Sequence, residues 1–122
     1  MTGLIFVGFG GAIGAMLRYG IGLIPYKQTF PLLTFITNIL GALLIGFIVG
    51  TAARKGMRPN ALLFWKTGVC GGFTTFSTFS LEAYMLMQEK RYCWGVAYMT
   101  LSVGVCIIGI MAGMYLAKRA WS

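Results

Sequence analysis

Between residues 61 and 88 the chain runs through an apolar stretch long enough to cross a bilayer. At its centre it reads Gly68-Val-Cys-Gly-Gly-Phe-Thr-Thr-Phe-Ser-Thr-Phe-Ser80. A Gly-Gly pair is followed by five hydroxyl residues between Thr74 and Ser80. Glycine costs backbone entropy in a helix, and short hydroxyl side chains compete for the backbone's own hydrogen bonds. This pattern predicts a break in the helix over 71–75, with Phe76 and Phe79 just beyond it. In hydrocarbon, irregular backbone survives only where protein buries it or where it lines a wet cavity. The remainder of the chain must therefore be arranged to enclose that break.

The composition suits such an arrangement. Of 122 residues, 58% are hydrophobic and 10% charged, whereas soluble domains carry about a quarter charged residues. Apolar runs at 3–24, 32–53, 61–88 and 94–117 each approach the roughly 20 residues that a membrane helix needs. The expected fold is an all-α integral membrane protein. It has four transmembrane helices, the third broken at mid-membrane, and residues 1–122 form a single domain in a cell membrane. The first run starts at once and without a basic leader, so no cleaved signal is expected. The net charge of +8 sits mostly in the short connections, a membrane pattern rather than a nucleic-acid footprint. Glu82 and Glu89 are the only acidic residues, and histidine is absent. No acid–base pair or activated nucleophile can be assembled, so the chain is not expected to be an enzyme. Cys70, Cys93 and Cys106 show no metal-ligand or redox spacing and read as packing residues.

Polar residues inside the spans are the candidates for function. Arg18, one turn before the end of the first span, either snorkels to the interface or faces a vestibule and attracts anions. Thr34 and Asn38 are one turn apart and share a face. Asn38 is either interhelical glue or a pore-facing donor. Glu82 lies two turns beyond Phe76, within the membrane or facing water at a mouth. Tyr98, Ser102 and Cys106 recur every four residues as one polar stripe. The pairs Gly10/Gly14, Gly46/Gly50 and Gly109/Gly113 permit close helix contact and are expected to offer surfaces to a partner. Arg54, Lys55, Arg58, Lys118 and Arg119 fall on one side of the membrane; Lys27, Lys90 and Arg91 fall on the other. Five against three is a weak orientation bias, which suits insertion both ways round and an antiparallel (dual-topology) homodimer.

A broken helix exposes carbonyls at the end of one half and N–H groups at the start of the other. Carbonyls near Gly71 to Thr74 suit a small cation such as Na⁺. The hydroxyls of Thr75, Ser77 and Thr78 and the positive ring edges of Phe76 and Phe79 suit an anion.

The run Gly71-Gly72-Phe73-Thr74-Thr75-Phe76-Ser77-Thr78-Phe79-Ser80 closely resembles the signature of the Fluc (CrcB) fluoride channels. The resemblance extends over the whole chain, including Arg18 in the first span and the asparagine in the second. It implies a dual-topology homodimer that passively exports fluoride and so relieves its toxicity. By the same resemblance, the Gly71 and Thr74 carbonyls hold a structural Na⁺ at the dimer centre. Phe76 and Phe79 face fluoride with their ring edges, and Asn38 lines the pore. Thr75, Ser77, Thr78, Tyr98 and Ser102 form a polar track, while Arg18 and Glu82 belong to a vestibule. Some relatives carry serine at the position of Cys106. Selectivity for fluoride is implied by the resemblance alone. Two other readings stand beside it. A small multidrug-type cation antiporter would need a first-span Glu, where this chain has Arg18. A non-transporting membrane assembly subunit would explain the glycine pairs but not the break.

Overall fold

A computed structural model describes residues 1–122. The chain is all helical: α1 (Thr2–Gly22), α2 (Leu32–Lys55), α3 (Pro59–Leu62), a π-helical segment (Leu63–Cys70), α4 (Gly71–Phe73), α5 (Phe76–Gln88) and α6 (Tyr92–Ala120). Three of these, α1, α2 and α6, are long and apolar enough to cross a membrane. Large apolar side chains such as Leu4, Phe9 and Met16 on α1 and Ile107 and Met111 on α6 face outward, an arrangement that suits lipid and not water.

The third apolar stretch is continuous from Pro59 to Phe73 and resumes at Phe76. Pro59 starts it at a position where its missing N–H has no partner to lose. Leu63–Cys70 is then wound more widely than an α-helix, as a π-helix, a geometry that recurs near functional positions. The expected break over 71–75 is narrower in the structure. Gly71–Phe73 stays helical, and only Thr74 (φ −82°, ψ 158°) and Thr75 (φ −145°, ψ 123°) are extended.

Close backbone approach explains why Gly72 remains helical; a Cβ on Gly71 would meet nothing. A Cβ on Gly10 would meet the Phe64 carbonyl and the Gly68 Cα, and one on Gly72 would fall onto Gly11. Gly10 and Gly14 of α1 therefore lie against Gly68 and Gly72, with bare backbone on both sides. The same device joins α2 to α6. A Cβ on Gly46 would strike the Ile110 carbonyl, and one on Gly113 the Leu43 carbonyl. The glycine pairs expected to serve a partner are thus consumed inside the chain. Two packed units result, α1 with the first half of the third stretch and α2 with α6. Between them, Ala83 and Leu86 of α5 pack with Tyr98 of α6 as a small core, edged by Phe30, Phe35, Phe79 and Met99.

Candidate functional site

The break is held by side chains from two other helices. Asn38 on α2 pairs with the backbone of Thr75 twice. The Thr75 N–H donates to Asn38 Oδ1 at 2.8 Å, and Asn38 Nδ2 donates to the Thr75 carbonyl at 3.1 Å. An amide is the one neutral side chain that can donate and accept side by side, and a backbone residue outside a helix asks for both. Arg18 on α1 does not snorkel away: its Nε donates to the Gly72 carbonyl at 3.1 Å. The Thr74 hydroxyl returns to the Cys70 carbonyl at 2.8 Å. Gly41 on α2 leaves room for the Thr74 methyl, which a Cβ there would strike. Thr75 Oγ1 accepts from the Thr78 N–H at 3.1 Å, so Thr75 is the N-cap of α5.

These bonds satisfy some carbonyls and leave others free. Those of Cys70, Gly72 and Thr75 accept from the chain. That of Thr74 accepts nothing from it. Of the two carbonyls expected to face a cation, Gly71 and Thr74, that of Thr74 is therefore available as a hard oxygen donor.

Beside the break lies a cavity of about 370 Å³, walled by α2, the third stretch and α6. It brings together Asn38, Gly71, Thr74, Thr75, Phe76, Phe79 and Ser102. Phe76 and Phe79 stand with ring centroids 5.7 Å apart at 46°. Ser102 is buried, and its Oγ has no hydrogen-bond partner. An unpaired buried hydroxyl is costly unless something else enters to accept or donate. No carboxylate lines this cavity.

Other sequence candidates lie elsewhere. Tyr98 is fully buried, with its ring 5.1 Å from that of Phe79. Its hydroxyl donates to Glu82 Oε1 at 2.9 Å rather than toward Ser102. Thr34 donates to the other oxygen of Glu82 at 3.0 Å. Glu82 also borders a separate polar cavity of about 630 Å³ together with Lys27 and Arg91. Thr78 and Thr75 line a third cavity with Arg18, of about 220 Å³. Ser77 is exposed, 3.3 Å from the Thr75 hydroxyl. The expected track of hydroxyls is thus divided between different faces of the break. Cys70 is buried, Cys93 exposed and Cys106 half-buried, all as free thiols.

Two contributors escaped the sequence reading. Gly41 has no signature, since its need for a missing Cβ arises only from the position of Thr74. Lys66 lines the main cavity, and a lysine within an apolar run just before the break was a visible signal.

Comparison with known proteins gives a consistent answer. The family model described as "CrcB-like protein, Camphor Resistance (CrcB)" matches residues 5–114. The fluoride-specific ion channel FluC of Roseobacter denitrificans is 43% identical over 126 residues, covering 99% of each chain. The protein of that name from Ignicoccus hospitalis is 38% identical over 120 residues, covering 98% of each. That from Ruminiclostridium cellulolyticum is 42% identical over 124 residues, covering 97% of this chain and 94% of its own. With the family model spanning nearly the full length and relatives matching from end to end, the chain belongs to the CrcB family.

Proposed function

We propose that the chain is a fluoride-specific channel that lets F⁻ leave the cell passively across the plasma membrane. Fluoride enters cells as neutral HF and is trapped as the anion, so a passive exit suffices to relieve it. The observation that carries this reading is the main cavity. It joins an unpartnered buried hydroxyl at Ser102 to the Phe76 and Phe79 rings, and no acid borders it. A hydroxyl proton and ring edges both present positive charge to an anion. The same lining argues against a cation antiporter, which would need a carboxylate there.

The working unit is an antiparallel homodimer of four-span subunits. Three features support that assembly. The cavity is open on one side of the single chain, Phe76 is 79% exposed, and the loop charges are divided five against three. The Gly71 and Thr74 carbonyls would hold a structural Na⁺ between the two copies, since backbone carbonyls fit a hard cation and that of Thr74 has no partner in the chain. Its role there is to neutralise converging carbonyl dipoles.

The test is efflux of fluoride from liposomes carrying the purified chain, read with a fluoride electrode, with chloride as the control anion. Rapid fluoride loss with chloride retained is the expected result. Vesicles that hold inserted protein and keep their fluoride would overturn the reading.

A further inference from the structure

Lys66 lies in the π-helical segment, one turn before Cys70. It is the single charged residue among the 15 that line the main cavity. Its ammonium makes no ion pair; the chain's one ion pair joins Arg91 to Glu89, far along the sequence. It lies seven positions after Pro59, where the stretch begins. At a rise of about 1.5 Å each, that places it about 10 Å in, with its side chain exposed on the single chain. A charged side chain at such depth is expensive and marks an ion path.

The direction of the helices fixes where in the cavity Lys66 lies. Gly41 of α2 meets Thr74, and Gly46 meets Ile110 of α6. The third stretch runs the opposite way to α2. Lys66 therefore belongs to the end of the cavity bordered by Ile45 and Ile110, whereas Asn38, Phe79 and Ser102 border the other end. One end carries a full positive charge, and the unpartnered Ser102 hydroxyl lies toward the other, with Thr74 and Cys106 lining the wall between them.

We propose that Lys66 is the anion-attracting residue at one mouth of this pathway, holding a halide-sized anion before it passes to Ser102 and the phenylalanine rings. The proposal rests on the channel reading above. A cation in a cleft with low-dielectric walls raises the local concentration of counter-ions and their entry rate by roughly tenfold to a thousandfold, and the gain falls steeply with salt. Lys66 is thus a rate-setting group rather than a packing residue.

The experiment compares wild type with Lys66→Gln, Lys66→Arg and Lys66→Glu in proteoliposomes. Fluoride efflux is measured at low ionic strength and again in about 1 M of an impermeant salt, where the screening length falls to about 3 Å. At low salt, Lys66→Gln should slow efflux about tenfold, Lys66→Glu by more, and Lys66→Arg by less than about twofold. In high salt the deficit of Lys66→Gln should shrink to about twofold or less, a response that a packing defect would not give. Equal rates for wild type and Lys66→Gln at both salts would overturn the proposal. So would a Lys66→Arg variant as slow as Lys66→Gln, or a deficit that salt does not alter. A wild-type chain that releases no fluoride would instead overturn the channel reading itself.

Discussion

Replacing Asn38 with aspartate changes one NH₂ to one oxygen and keeps the shape, so it isolates charge and donor capacity from packing. Asn38 holds the break by donating to the Thr75 carbonyl and accepting from the Thr75 N–H. The carboxylate retains the second bond and turns the first into a clash of acceptors, a loss of about 1 kcal/mol or somewhat more. It also sets a full negative charge on the wall of the cavity. At about 6 Å from a passing anion and an effective dielectric constant of about 20, that charge opposes the anion by roughly 3 kcal/mol. Since about 1.4 kcal/mol is tenfold, fluoride flux should fall about 100-fold. Asn38→Ala removes both bonds without adding charge, and serves as the comparison. Efflux from proteoliposomes, with gel filtration to confirm that the variants remain folded, reads the difference. If Asn38→Asp and Asn38→Ala reduce flux equally, the loss comes from the break itself, and the electrostatic reasoning is wrong. If Asn38→Asp conducts normally, Asn38 lies off the path.

Phe76→Ile and Phe79→Ile should each nearly abolish efflux while leaving assembly unchanged, because isoleucine fills space without offering a positive ring edge; normal flux in both would remove the rings from the pathway. Gly14→Ala should destabilise the fold by about 1–3 kcal/mol, since the new methyl would meet the Val69 carbonyl and Phe73 nitrogen; an unchanged melting temperature in detergent would show that α1 is not held this closely. Cysteines introduced near the N-terminus should label from both faces of the membrane if the chain inserts both ways round. Labelling from one face alone would exclude the antiparallel dimer.

The helices were legible because they rest on length and hydropathy. The expected runs 32–53 and 94–117 lie within Leu32–Lys55 and Tyr92–Ala120. The break was legible in existence but not in extent. Each glycine costs about 1 kcal/mol in a helix, and on propensity alone Gly71 and Gly72 should have ended it. Gly72 instead supplies the bare surface on which Gly11 rests, so packing overrides propensity. The glycine pairs illustrate a second limit: the spacing announces a close contact but not whose. The third limit concerns long-range polar bonds. Nothing local connects Arg18 to Gly72, 54 residues apart, or Thr34 to Glu82, 48 residues apart. The polar stripe of Tyr98 and Ser102 was correct as a face of α6, yet the two hydroxyls differ in role. One reaches Glu82, and the other has no partner within the chain.

The unsatisfied groups at the break sort by sign. The first half of the third stretch ends with the Thr74 carbonyl free, an acceptor. The second half begins at Phe76, where the first N–H groups of α5 have no carbonyl one turn back within their own helix and the Thr75 hydroxyl serves that of Thr78. Buried groups of either kind cost free energy unless a partner arrives. Carbonyls at a helix C-terminus favour a cation, and N–H groups at an N-terminus favour an anion. A break of only two extended residues holds these two demands a few ångströms apart, the arrangement that the proposed Na⁺ and a passing anion would need. Arg18 and Asn38 strengthen the separation by occupying the Gly72 and Thr75 carbonyls, which would otherwise repel an anion at the break.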